Sequence, residues 1–503
     1  MNKLMVLLLA LATIANVQLN AQMNGTMPED QISASELKAD LYWLASDYLQ
    51  GRRTGSEGNN IAAKFIASQI EAAGFKPAPG QDTYFQPINF EQTQPPASAT
   101  LELNKTAYSF KEDFIILRGD ANSFPKAKGV YAGHGMEADY KDLDVKGKVV
   151  FVMGGEAENR SNQATFNAMS VKRKLAAEKG AVGLIEIYNL SFPWNFFASY
   201  FGGKSISLPS GGNNDKGGDI IYGWMQAKTD SDEIKKMREG GKVKINLASS
   251  GFSKKILPSQ NVVGVLEGTD PELKDEYIVL SAHYDHVGVG KEGGGAITPT
   301  DSIFNGARDN GAGTVSLLAT ARALGKVKPK RSVIFFACTA EEVGLLGSRY
   351  YADNPLIPLN KTIFNLNIDN AGYNDTSIVT IFGYGRTGTD EKIQEATNTY
   401  GLKAIADPAP EQNLFDRSDN VSFAAKGVPA FTFSLGFTAF DEEINKYYHQ
   451  VTDNPDNMDY EYLEKYARSY ARLARMIAND PNRPQWKPGD KYEAAGKKLY
   501  GDR

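Results

Sequence analysis

Apolar positions recur at helical spacing from the first ordered-looking stretch of the chain. Leu37, Leu41 and Leu44, then Ile61, Phe65, Ile66, Ile70 and Ala73, predict helix across Ser33–Phe75. Gly51-Arg52-Arg53-Thr54-Gly55 breaks it into two halves, and Gly74 stands where a C-terminal cap belongs. Thr83–Phe90 alternates like a strand, and Gln94-Pro95-Pro96-Ala97-Ser98 reads as a linker. From 99 to 257 the pattern changes. Leu101–Leu117 reads as a meander of strands, Lys146–Met153 as a buried strand after a turn and Lys172–Lys179 as a helix closed by Gly180, with a strand over Val182–Ile187. Phe192–Phe201 holds six aromatic residues, a cluster that favours core or interdomain contact over the lining of a cleft.

Beyond Asn261 strand and helix alternate. Strands are predicted at Tyr277–Ala282, Ser332–Cys338, Ile363–Ile368 and Pro429–Ser434, and helices at Gly311–Leu324 and Val343–Tyr351. Units of this length predict an α/β fold: a mostly parallel central sheet flanked by helices on both faces.

The amino terminus reads as an address. Lys3 precedes the uncharged run Leu4–Val17, and Leu19-Asn20-Ala21 puts a small residue before a cleavage point. Residues 1–21 are therefore expected to be a signal peptide, the run being shorter than the ~20 residues of a membrane span. No later stretch is long and apolar enough to span, so export to the periplasm or the extracellular space is expected, with no membrane span. A net charge of −5 gives no basic footprint for nucleic acid. Cys338 is the single cysteine, which excludes an intramolecular disulfide framework and a cysteine-rich zinc site. With four histidines, a metal site here must lean on carboxylates.

Ligands bind outside the carboxyl ends of parallel strands. There the sequence places His283 and Asp285 after the first strand, Asp309 before the helix that follows, and Glu341-Glu342 after Cys338. Asp369 follows Ile368, and His449 lies in the last loop region. Imidazoles with several carboxylates suit zinc, with cobalt or manganese as alternatives. So many groups exceed the three protein ligands of a single catalytic zinc and fit two ions bridged by a carboxylate, about 3.5–4 Å apart. Asp285, two residues beyond His283, is expected to accept the other ring N–H. Of the Glu341-Glu342 pair, one is expected to be a ligand and the other a proton acceptor. Gly383–Gly388 matches a dinucleotide fingerprint but lies late in the chain, outside a first βαβ unit, and no G-x-S-x-G elbow supports a serine hydrolase.

The runs Ala282-His283-Tyr284-Asp285-His286, Asp309-Asn310-Gly311-Ala312-Gly313, Ala340-Glu341-Glu342-Val343-Gly344-Leu345-Leu346-Gly347-Ser348, Asn367-Ile368-Asp369 and Tyr448-His449 together resemble the M28 family of zinc exopeptidases. The segments Asp144–Val150 and Gly180–Gly183 resemble a protease-associated (PA) domain. The resemblance implies a zinc-exopeptidase-like, phosphorylase/hydrolase-like fold with an inserted β-rich α+β domain. The expected division is 1–21 signal peptide, 22–98 and 258–503 peptidase, and 99–257 insert. It also implies two Zn2+ per subunit, Asp309 bridging them, His283 and Asp369 completing one site and Glu342 and His449 the other. Glu341 becomes the general base, Tyr448 an aid to the oxyanion, and Arg417 and Asp419, in a run similar to the family's R-S-D-H, substrate-binding residues. Asn420 stands where that run usually has His, Arg308 where an acid often precedes the bridging Asp, and Asn370 where Met is usual.

The expectation is a secreted aminopeptidase that removes N-terminal residues from peptides through a metal-bound hydroxide and the Glu341 base. A carboxypeptidase or dipeptidase, with Arg308 or Arg417 capturing a carboxylate, a glutaminyl cyclase, and a non-catalytic binding protein are the alternatives.

Overall fold

A computed structural model describes residues 27–159, 161–190, 193–209, 220–226 and 231–501. The expected signal peptide, residues 1–21, and Phe192 lie outside them. The chain divides into two compact units, one of Met1–Asn89 with Pro258–Arg503, the other of Phe90–Leu257. The extended strand Phe85–Gln94 runs through the position where the second unit begins.

In the first unit, four central strands lie side by side in the order Ala430–Leu435, Thr362–Ile368, Tyr277–His283, Ser332–Cys338, all parallel. Ile378–Phe382 and Ser253–Leu266 join this core antiparallel on its two sides. The sheet is therefore mixed, parallel where the site is built. Every residue of Ser332–Cys338 and Thr362–Ile368 is buried, as covered parallel strands require. Alternate residues serve opposite faces. Val333, Phe335 and Ala337 pack with helices Ala34–Leu44, Glu57–Ala72, Gly313–Lys326 and Tyr460–Asn479, whereas Ile334, Phe336 and Cys338 pack with Tyr351 and Phe423. The pairing His283↔Cys338 and Ala282↔Ile368 brings three strand ends level, so whatever follows them shares one edge.

The helix expected from Gly311 begins at Gly313, because Ala307–Ala312 forms a wide π-type turn ahead of it. The helix expected from Val343 begins at Leu346. The fingerprint-like loop is a structural tie. Arg386 pairs with Asp490 at 2.7 Å and stacks on Phe415 and Trp486.

The second unit has an eight-stranded sheet whose centre, Asn122–Tyr131, Lys148–Met153, Gly183–Ile187 and Ile221–Met225, is parallel. Helix Asn162–Glu178 carries Lys172 to Glu186 at 2.8 Å, with neither side chain exposed. The aromatic segment splits. Trp194 and Phe197 join a core with Trp224, while Phe196 and Tyr200 stack on each other and are 65% and 72% exposed. No described helix is long and apolar enough to cross a membrane.

Candidate metal centre

His283 is the last residue of its strand, Asp369 follows Thr362–Ile368 directly, and Glu341 and Glu342 lie just past Ser332–Cys338. Asp309 comes from the π-type turn and His449 from the loop after Glu442–Asn445. All of them converge. His283 Nε2 lies 3.4 Å from Asp309 Oδ1 and 3.2 Å from Asp369 Oδ1. His449 Nε2 lies 3.2 Å from Asp309 Oδ2 and 3.2 Å from Glu342 Oε2. Each oxygen of Asp309 thus faces a different imidazole, giving two donor sets that share one carboxylate. Two ligands of one tetrahedral zinc, with bonds of about 2.0–2.1 Å, lie about 3.3 Å apart. The donor atoms already stand at that spacing, so the residues fit a pair of such ions.

The charge pattern agrees. Burial alone would raise the Asp309 carboxyl, yet hydrogen bonds from His283 and His449 hold it far below the usual range. Burial also works against His449, but Glu342 and Asp309 outweigh it and push the imidazole up to about 11. Glu342 is drawn down to about 2 by His449 and His286 against its own burial. Without a metal, protons on imidazole balance the acids; a divalent cation that takes the same lone pairs releases those protons.

Glu341 behaves oppositely. Burial pushes its carboxyl well above the ordinary range, and Asp369, Glu342 and Asp419 add to that against the pull of His283. Its oxygen is 4.0 Å from His283 Nε2. Ala340, immediately before it, and His449 adopt positive φ of 60° and 52°, a strain that functional loops hold when their surroundings fix them.

Some surroundings differ from expectation. His283 Nδ1 lies 3.2 Å from the main-chain carbonyl of Asp285 and 3.9 Å from its carboxylate, so the carbonyl is the ring's partner. The Asp285 carboxylate instead accepts from Thr54 Oγ1 at 2.9 Å and from the Glu341 amide at 3.2 Å, and burial pushes it up to about 6. It therefore orients the Glu341 backbone rather than the ring of His283. Asp419 is also displaced. It is wholly buried and accepts from Cys338 Sγ at 2.9 Å, and it is absent from the cavity wall.

That cavity, of about 540 Å³, is lined by Asp309, Glu341, Glu342, Asp369 and His449, with Phe382, Leu414, Phe437, Phe440 and Tyr448 as its apolar wall. Arg417 also lines it. Tyr448 stacks on His449 with ring centroids 4.2 Å apart. Arg308, the other expected carboxylate-capturing residue, is buried and committed. It donates to Asn457 O at 2.7 Å, lies 3.4 Å from Asp453 and packs over Tyr447.

Three further residues support the centre. Arg52, fully buried, donates to the carbonyls of Leu44, Tyr284, Asn305 and Gly306, tying the segment after His283 to the turn that carries Asp309. Asp453 accepts the amides of Arg308 at 3.0 Å and Asp309 at 3.2 Å. His286 Nδ1 holds Glu342 Oε1 at 2.7 Å. Gly306, with φ of 60°, lets the turn pass; a Cβ there would lie 2.5 Å from the His286 ring. An arginine among glycines between two helices, and an aspartate four residues after a candidate ligand histidine, were the available cues.

Fold and donor set together give an α/β protein with two candidate metal-ligand clusters that share Asp309 at the end of its sheet. The model of peptidase family M28 matches residues 261–474. It is 25% identical over 483 residues to a probable leucine aminopeptidase 2 of Aspergillus oryzae, covering 90% of this chain and 84% of that one. It is likewise 25% identical over 335 residues to aminopeptidase YwaD of Bacillus subtilis, covering 66% and 63%. Among solved structures, an aminopeptidase from Aneurinibacillus sp. strain AM-1 superposes with a TM-score of 0.61 at 22% identity, covering 92% and 98%.

Proposed function

We propose that this chain is an exported aminopeptidase that uses two zinc ions to hydrolyse N-terminal residues from peptides. The observation that carries the reading is Asp309, whose two oxygens face His283 and His449 separately. Asp369 and Glu342 complete the two donor sets. When bound, the two ions supply Lewis acidity to the scissile carbonyl and the attacking water.

The chain's own residues do the rest. Glu341, with its raised proton affinity, takes the proton of the attacking water and passes it to the leaving amine. Tyr448 and the aromatic wall receive the side chain of the departing residue and exclude water. Asp285 fixes the backbone that carries Glu341. The named relatives, aminopeptidases of a fungus and a bacterium, support this direction of attack. The second unit, Phe90–Leu257, is proposed to be a protease-associated insert.

One observation favours a second reading, release of C-terminal residues. Arg417 is the one guanidinium or ammonium group in the cavity wall among the described residues, and a guanidinium is suited to capturing a carboxylate. Mass-spectrometric cleavage of a peptide library with free, N-acetylated and C-amidated ends decides between them. Loss of single N-terminal residues, blocked by acetylation, supports the aminopeptidase. Cleavage blocked only by amidation moves the assignment to a carboxypeptidase, and no cleavage by the zinc-loaded protein overturns both.

A further inference from the structure

The second unit holds a cavity of about 1100 Å³, none of whose lining residues belongs to the metal centre. It opens at the carboxyl ends of three neighbouring parallel strands. Tyr131 ends one, Met153 ends the next and runs into Gly154-Gly155, and Asn189-Leu190 follow the third. Crevices at that edge are where open parallel sheets take ligands, because each strand turns away there toward its connection.

We propose that this cavity binds a carboxylate presented by a peptide, with Arg238 as the group that reads it. The guanidinium of Arg238 lies 4.9 Å from the Tyr131 ring centroid, and its Nη2 is 3.3 Å from Met153 Sδ. These are soft partners. No carboxylate pairs with it among the described residues. A guanidinium held over a ring with only a thioether and a phenol as partners can turn its N–H edges to a bidentate anion, which an ammonium could not match. His134 stands in the same wall. Its Nδ1 meets Gly155 O at 3.1 Å, which makes that nitrogen the donor and leaves Nε2 for a ligand. The neighbouring acid, Asp139, is occupied by the amides of His134 and Met136 at 3.1 and 3.0 Å.

The floor is rigid. Lys172 Nζ donates to Met153 O at 2.9 Å and to Glu186 at 2.8 Å, and Tyr222 and Trp224 extend the chain of hydrogen bonds. A Cβ on Gly154 would lie 2.6 Å from Asn189 Oδ1 and 2.8 Å from the Trp224 ring, so the floor is bare backbone over an indole. That indole is a built-in reporter of occupancy.

The test uses the full chain and three capped peptides: N-acetyl-Ala-Ala-Ala acid, its C-terminal amide, and N-acetyl-Ala-Glu-Ala amide. Binding is followed by tryptophan fluorescence and titration calorimetry, with and without zinc. At least one carboxylate peptide should bind at least tenfold more tightly than the uncharged amide. R238A should lower that affinity at least tenfold without changing the melting temperature, R238K should fall between, and R417A should leave it intact. Preference for the acid assigns a chain terminus as the source, and preference for the Glu peptide assigns an acidic side chain. Equal affinity for all three peptides, undiminished binding by R238A, or loss of binding in R417A overturns the proposal.

Discussion

The carboxylate of Asp453 accepts the backbone N–H of Asp309 at 3.2 Å, and Asp453 sits four residues after His449. One buried side chain therefore joins the loop of the shared carboxylate to the loop of a histidine. It also accepts the Arg308 amide and lies 3.4 Å from the Arg308 guanidinium. D453A should leave two amides and a buried cation unmatched. A fall of about 10–100-fold in zinc affinity is expected, the effect usual for groups that orient ligands. Equilibrium dialysis with elemental analysis measures it. Wild-type affinity in a folded D453A protein would show that the two loops hold their positions without it.

The proposed function gives Glu341 proton transfer and no ligand role. E341A should lower turnover by about 10²–10⁴-fold while retaining the zinc content of the wild type. Elemental analysis and initial rates on the same preparation separate these effects. Normal turnover would remove Glu341 from the mechanism.

Arg52 donates to four buried carbonyls from one fully buried side chain. R52M strands those carbonyls, each worth about 1–3 kcal/mol when left unmade, so urea unfolding should show a loss of several kcal/mol. R52K keeps the charge but not the fork and should recover only part of it. Equal stability of R52K and wild type would mean that charge alone is what the site requires.

Metal removal should destabilise the first unit. Zinc held by the folded donor set and not by the dispersed chain would, at an excess of about 100 times the dissociation constant, stabilise by ~2.7 kcal/mol per site. Chelation should lower the melting temperature, and zinc should restore it with a stoichiometry of two. A titration that saturates at one ion per chain would reduce Asp309 from a bridge to an ordinary ligand.

Acid should weaken the fold through Glu276. Burial alone would raise its carboxyl, but hydrogen bonds from Arg483 and Arg331 outweigh burial and hold it below the usual range. Its folded pKa is thus lower than the unfolded value of about 4.3. The stabilisation is complete above that value and is lost as pH falls through the folded pKa. The gap in urea midpoint between wild type and E276Q should therefore be present at pH 6 and close towards pH 3. A gap independent of pH would assign the contribution to packing.

The side chains that converge at the sheet end were legible because the parallel strands advertise themselves. Continuous apolar runs such as Ser332–Cys338 reveal both the strand and where it ends, and the acids just beyond those ends stand out. The supports were not legible, because they act through backbone. Arg52 bonds only to carbonyls and Asp453 largely to amides, atoms that every residue owns and no motif marks. Asp285 was placed at the right strand end but given the wrong acceptor atom, since a period-two argument fixes the side of a strand and not which oxygen meets a ring. Arg417 and Asp419, two residues apart, part company at the cavity because Asp419 turns inward to Cys338.

The bond from Arg52 to the carbonyl of Tyr284 spans 232 positions, and the whole of Phe90–Leu257 is translated in between. At a synthesis rate of about 5–20 residues per second, the amino-terminal helices wait many seconds on the ribosome for the partners of Arg52, and longer for His449. A nascent chain thus carries no complete donor set until the last of these residues, His449, has been made.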